Sequence, residues 1–194
     1  MIGAILCGGQ SSRMGKDKGL LKLEAKTWAQ TAIDKMTVLS LPVVLSVSST
    51  QYSEYAAIFP SSQLVKDDES LLLKGPLCGV LSIHLQYPSE DLFVLACDMP
   101  LLDPALLKEL FKHYSNQSFF DAFVYTNDKE PEPLCGIYKA NGLTQILNLY
   151  RKGHLSRHSM KFMLEHINSS FIPLSPDQKT SFRNFNAHSE LNGL

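Results

Sequence analysis

Four short runs of nearly unbroken apolar residues, Ile2 to Cys7, Val43 to Val47, Leu92 to Cys97 and Phe120 to Tyr125, punctuate the chain. A strand covered on both faces has no solvent side for polar residues, so these runs predict buried strands of a parallel sheet. The period changes between them. Ala25, Trp28, Ala29, Ala32, Ile33, Met36 and Leu39 recur every three or four positions, which lays one apolar stripe along a helix, and Pro42 stops it. A second helix is predicted at Asp103-Pro104, where Asp caps free N–H groups and Pro fits the first turn, and it continues through Leu106, Leu107, Leu110 and Phe111. A third follows Pro76 through Leu77, Val80, Leu81 and Leu85. The charged segment Asp128 to Glu132, bounded by prolines, reads as an exposed loop, with a lid over a site as the alternative.

Strands alternating with helices imply an α/β fold: a Rossmann-like three-layer sandwich with a mostly parallel central sheet flanked by helices. The 194 residues are read as one domain, 1–194. A chain of this length can bury roughly 70% of the surface its unfolded form exposes. In such sheets ligands bind beyond the carboxyl ends of the strands, so those ends are where chemistry is expected.

Composition narrows the partners. A net charge of -1 excludes a general polyanion binder, so nucleic acid is not an expected partner and any phosphate binding must be local. The chain lacks a basic leader and a run of about 18 apolar residues, which predicts no membrane association and a cytoplasmic protein. Cys7, Cys78, Cys97 and Cys135 show no C-x-x-C spacing and read as small buried hydrophobes rather than zinc ligands. The six histidines form no H-E-x-x-H set, and no G-x-S-x-G elbow is present.

The stretch Leu6-Cys7-Gly8-Gly9-Gln10-Ser11-Ser12-Arg13-Met14-Gly15-Lys16-Asp17-Lys18 follows the first predicted strand directly. Gly8 and Gly9 allow a sharp turn that brings backbone N–H groups against phosphates, Ser11 and Ser12 add donors, and Arg13 and Lys18 supply cationic charge. The spacing is neither that of a Walker loop nor that of a G-x-G-x-x-G dinucleotide loop. Asp98, in Ala96-Cys97-Asp98-Met99-Pro100, ends a predicted strand with a carboxylate at its tip. It can start a turn before Pro100, or hold Mg²⁺ against a triphosphate delivered by the first loop, since Mg²⁺ takes one or two carboxylates plus phosphate oxygens and water.

The form G-G-x-S-x-R-M-G-x-D-K resembles the signature of glycosyltransferase-A-like nucleotidyltransferases, and Leu-Cys-Gly-Gly in front of it is similar to the molybdenum cofactor guanylyltransferases. That resemblance extends through Asp67-Asp68, Gly75 to Gly79, the Pro133-Leu134 segment and Asn184-Phe185-Asn186. It implies transfer of GMP from GTP to the terminal phosphate of molybdopterin or the molybdenum cofactor, with Mg²⁺ on Asp98 and Arg13, Lys18 and Asp98 as catalytic groups. The nucleotide site it implies comprises Leu6, Cys7, Gly8, Gly9, Ser11, Arg13, Lys18, Ser46, Asp67 and Asp98. Asp68 is the alternative to Asp67, and Ser46 stands where the family commonly has Asn. Asn184 and Asn186 would face the pterin, or else form a turn and a helix cap. A family Arg before the last core helix aligns with His158, beside Arg157, and neither has an assigned role. Other cofactor-biosynthesis proteins or recipient molybdoenzymes are the macromolecular partners the family suggests. Three other readings stay open: transfer of CMP to the same pterin, transfer of NMP to a sugar phosphate, and a non-catalytic nucleotide-binding protein.

Overall fold

Residues Ile2–Leu6 form the first strand, β1, and every side chain on it is buried. Alternation sends Ile2, Ala4 and Leu6 into one apolar core and Ile5, followed by Cys7, into another. A strand that feeds two cores must lie inside a sheet covered on both faces. The computed structural model describes residues 1–7, 17–23 and 25–182, and it places β1 in that position.

In chain order the further strands are β2 (Lys22–Leu23), β3 (Lys26–Thr27), β4 (Val43–Val47), β5 (Leu64–Lys66), β6 (Leu92–Ala96), β7 (Ala122–Asn127), β8 (Glu130–Tyr138) and β9 (Ser169–Pro173). The helices are α1 (Trp28–Met36), α2 (Tyr52–Ala56), α3 (Pro76–Gln86), α4 (Pro104–Asn116), α5 (Ala140–Arg151), α6 (Met160–Leu164) and α7 (Pro176–Lys179). Seven strands make one sheet in the order β5-β4-β1-β6-β8-β7-β9, and β2 pairs with β3 in a small ribbon. Within the large sheet β8 alone runs against its neighbours β6 and β7. The α/β sandwich expected from the apolar periods is therefore present. Ala29, Ala32 and Met36 of α1 and Leu106, Leu107 and Leu110 of α4 pack on one face. Leu77, Val80 and Leu81 of α3 and Leu143, Ile146 and Leu147 of α5 pack on the other.

Strand ends shift by one or two residues, Phe120 to Tyr125 becoming Ala122–Asn127, and two further expectations differ, each for a local reason. The apolar stripe of α1 begins on paper at Ala25, but the helix starts at Trp28 because the Thr27 hydroxyl accepts the Gln30 N–H at 3.1 Å and caps it. Ala25 lies instead in the turn of the β2–β3 ribbon. The segment Asp128 to Glu132 is no open loop. Asp128 and Lys129, at φ 49° and 71°, make a two-residue hairpin turn, and Glu130 already pairs with Asn127. Pro131 and Pro133 fit in β8 because β6 pairs only with its second half, Cys135 to Tyr138, leaving the first half open on that side. The β7–β8 register shifts between Val124 and Tyr125, which pair with Gly136 and Glu132, so Pro133 to Cys135 bulge out of the ladder.

Candidate functional site

Parallel pairing sets where the site can be. Leu6 of β1 lies level with Ser46 of β4 and Ala96 of β6, so three chain segments leave the sheet at the same edge. The ladder continues one residue further: the Cys7 N–H donates to the Ser46 carbonyl at 3.0 Å, Cys97 to Leu6 at 3.2 Å and Asp67 to Val47 at 2.9 Å. Cys7, Asp67 and Cys97 thus stand in a row at the carboxyl ends of β1, β5 and β6. All four cysteines are buried and unpaired, as their apolar surroundings predicted. A thiol hydrogen bond to Cys7, together with burial, raises the Cys97 pKa well above the usual thiol range.

At this edge the Lys18 ammonium reaches Asp98 Oδ2 at 3.4 Å, with side chains 25% and 20% exposed. The two groups are 80 positions apart in sequence, and the fold brings them to one spot. The other carboxylate oxygen, Asp98 Oδ1, is buried with no hydrogen-bond partner among the described residues. A buried carboxylate oxygen left unpaired is costly, and it is also what a cation ligand looks like before its ion arrives. Among the described residues no cluster of three or more His, Cys, Asp or Glu side chains could hold a metal ion. A single carboxylate suits Mg²⁺ bound mainly through phosphate oxygens and water, and does not suit a structural metal cage.

Ser46 and Asp67 also meet, the hydroxyl donating to Asp67 Oδ1 at 2.7 Å. Burial raises the Asp67 pKa, and the bond from Ser46 partly opposes this. Asp68 turns elsewhere: its carboxylate accepts the Ser70 N–H at 2.9 Å and caps the short turn Glu69–Leu71. Asp67 and Asp68 both border a groove of about 490 Å³ with Ser49, Lys66, Glu69 and Ser82. Close packing keeps Ser46 in place. A Cβ on Gly79 of α3 would lie 2.4 Å from Ser46 Oγ and 3.3 Å from Leu6, so this position admits hydrogen and little else.

Sequence reasoning passed over four residues around Lys18 and Asp98. Asp17 accepts from the Gly19 N–H at 2.8 Å, from the Tyr55 hydroxyl at 2.8 Å and from the Gln51 amide. Gln51 also donates to the Cys7 carbonyl at 3.3 Å and accepts from the Ser48 N–H at 3.0 Å. One side chain therefore ties together the end of β1, the end of β4 and the segment leading to Lys18. Asp17 is the Asp of the G-G-x-S-x-R-M-G-x-D-K form, which could have pointed to this network, whereas Gln51 and Tyr55 lie in no motif. The fourth residue, Lys35 on α1, sends its ammonium to the carbonyls of Met99, Pro100 and Leu102 at 3.2, 2.6 and 2.7 Å. Burial draws its pKa down to about 8, while Asp103 opposes the shift. Its signal was a lysine within the apolar stripe, three residues after Ala32 and one before Met36.

Several expected residues lie outside the described ones: Gly8, Gly9, Ser11 and Arg13 of the first loop, and Asn184 and Asn186 near the end of the chain. The described chain leads toward the latter pair through Phe182, which packs edge-on against Tyr125 at 5.4 Å. Arg157 and His158 are exposed ahead of α6. Arg157 lies over the Phe162 ring at 5.9 Å, and His158 meets the Tyr150 ring edge-on at 5.6 Å. Among the described residues no helix is long and apolar enough to cross a membrane.

Comparison with known proteins gives this geometry a context. A family model described as MobA-like NTP transferase domain matches residues 3–168. A protein of Methanothermobacter thermautotrophicus described as a probable molybdenum cofactor guanylyltransferase is 31% identical over 195 residues, covering 97% of this chain and 95% of the relative. One of Geobacillus sp. with the same description is 28% identical over 196 residues, covering 100% and 97%. The crystal structure of a molybdopterin-guanine dinucleotide biosynthesis protein A from Archaeoglobus fulgidus shares the fold, with a TM-score of 0.77 at 21% identity over 100% of this chain and 96% of that one.

Proposed function

The chain is a nucleotidyltransferase of the MobA-like NTP transferase family, and on that premise we propose that it transfers GMP from GTP to the terminal phosphate of molybdopterin or the molybdenum cofactor. The observation that carries this reading is the meeting of Lys18 and Asp98 at the joined ends of β1 and β6, directly beyond the glycine-rich stretch. The full-length likeness to molybdenum cofactor guanylyltransferases supports the choice of nucleotide and acceptor.

In this reading a phosphate oxygen of the pterin attacks the α-phosphorus of GTP. The bond to the β-phosphate breaks, and pyrophosphate leaves. The nucleophile is already an anion, so no base is required, and the enzyme has to align two repelling phosphates and offset the charge that develops on the leaving group. Lys18 holds positive charge beside the triphosphate, and Arg13 adds to it by its place in the motif. Asp98 would hold the divalent cation, taken as Mg²⁺, because its Oδ1 is buried and unpaired; that ion would supply Lewis-acid charge against the triphosphate. Gly8, Gly9 and Ser11 would offer N–H and O–H donors to phosphate. Ser46 and Asp67 would face the guanine nucleotide, and Asn184 and Asn186 the pterin.

Incubation with GTP, Mg²⁺ and molybdopterin, followed by mass analysis, tests the whole assignment. The expected product is the guanine dinucleotide, with one pyrophosphate released for each. Consumption of CTP while GTP stays intact, or nucleotide binding with no pyrophosphate released, would overturn it.

A further inference from the structure

Asp98 can serve a cation only if the segment that follows β6 holds its carboxylate at a fixed height above the sheet. That segment, Met99 to Asp103, has no strand partner. Its one internal backbone bond runs from the Leu102 N–H to the Met99 carbonyl at 3.2 Å. The carbonyls of Met99, Pro100 and Leu102 instead converge on a single ammonium, that of Lys35, which has three N–H donors for three acceptors. Lys35 stands on α1, whose Ala29, Ala32 and Met36 are locked in the core. The ammonium therefore comes from a helix anchored in the core, and it ties down the backbone of an unpaired segment whose Met99 and Leu102 side chains pack in that same core.

We infer that Lys35 is a positioning residue for the cation site: by gathering the carbonyls just after Asp98 it fixes where that carboxylate meets the metal–triphosphate. The inference rests on the reading of Asp98 as the cation ligand. Lys35 itself bonds these three carbonyls rather than the Asp98 carboxylate and is no catalytic residue. Surrounding packing supports the same view. Met99 and Leu102 are buried, and Asp103 caps α4 through the Ala105 N–H at 2.8 Å, so the turn is held at both ends and organised in the middle by one side chain. Without the ammonium, the Pro100 and Leu102 carbonyls lose this donor and the Met99 carbonyl keeps only the Leu102 N–H, so the turn has to rearrange toward water.

The test compares the wild-type chain with Lys35→Met, which keeps the length of the side chain and removes its donors. Binding of Mn²⁺ to the protein–GTP complex is followed by the loss of the free-ion electron-spin signal, and binding of GTP in EDTA by calorimetry. The expected result is a split: Mn²⁺ affinity falls tenfold or more, while metal-free GTP binding changes less than threefold. Mn²⁺ binding within threefold of wild type overturns the role of Lys35, and so does an equal loss in both measurements, which would signal general loosening. Should the Met variant lose its native far-UV spectrum, Lys35→Gln, which retains two N–H donors, is read the same way with a threefold or greater Mn²⁺ loss expected. A wild-type chain that takes up no Mn²⁺ in the presence of GTP overturns the reading of Asp98 beneath this inference.

Discussion

At the scale of single residues, the site depends on charges that the fold brings together and on contacts that leave no spare room. In the proposed reaction Lys18 and Asp98 would each act on phosphate charge, one directly and one through a cation. Removing one preorganised contact to transition-state charge costs about 3 kcal/mol. Lys18→Ala and Asp98→Ala are therefore each expected to lower kcat/KM by at least about a hundredfold with saturating Mg²⁺. Steady-state pyrophosphate release measures this, and near wild-type turnover in either variant removes that residue from the mechanism. Gly79 acts by absence. Its added Cβ would sit 2.4 Å from Ser46 Oγ, so Gly79→Ala has to push Ser46 off Asp67 or move α3. Because that contact belongs to the proposed nucleotide side, the expected effect is a rise in the KM for GTP of about tenfold, roughly 1.4 kcal/mol, with a smaller change in kcat. An unchanged KM would show that the Ser46–Asp67 pair does not touch the nucleotide.

At the scale of elements, local chemistry decides where each one starts and stops. The hairpin between β7 and β8 places Asp128 and Lys129 at positive φ, a region that a side chain with a Cβ enters at a cost of about 1–2 kcal/mol. Lys129→Gly should therefore raise stability, by about 1 kcal/mol after the entropy of glycine in the unfolded chain is counted; a shift of the urea midpoint to lower concentration would contradict this. The same hairpin shows the limit of reading elements from sequence. The apolar runs of β1, β4 and β6 announce themselves because both faces are covered. The turn at Asp128 carries charges and sits near prolines, so its strand character is hidden until β7 provides a partner. Ala25 misleads for the opposite reason: it keeps the helical period, but the Thr27 cap fixes the start of α1. Lys18 and Asp98 could be singled out from sequence because one closes the glycine-rich stretch and the other stands at the tip of an apolar run, and the fold brings the two together. Lys35 and Gln51 could not, because their roles lie in carbonyl contacts made across 64 to 67 and 44 positions of sequence. Asp67 and Asp68 are neighbours that sequence cannot tell apart, and coordinates show one bonded to Ser46 and the other capping a turn.

At the scale of the whole molecule, the sheet couples two cores, one on each of its faces. Leu92 and Val94 of β6 point into the core with α3 and α5, while Phe93 and Leu95 point into the core with α1 and α4. Neither core can dissolve without exposing one face of the same strands, and burying a side chain of this size contributes roughly 1.5–3 kcal/mol. Loss of one helical layer would also leave the ladder that carries Cys7, Asp67 and Cys97 without support on that side. The two layers are thus expected to unfold together, in one transition. The chain has a single tryptophan, Trp28, fully buried between Leu21 and Leu101 near the Asp98 turn, so its fluorescence reports on the α1 side. Leu143 lies on α5, fully buried in the opposite core. Leu143→Ala removes apolar contact and leaves a cavity, which costs about 2–5 kcal/mol. If the sheet transmits that loss, the urea midpoint read from Trp28 fluorescence should fall by the same amount as the midpoint read from far-UV circular dichroism. A midpoint that drops in the dichroism while the Trp28 signal keeps its wild-type position would mean that the layers melt separately, and that the nucleotide edge can stay folded while the α5 side opens.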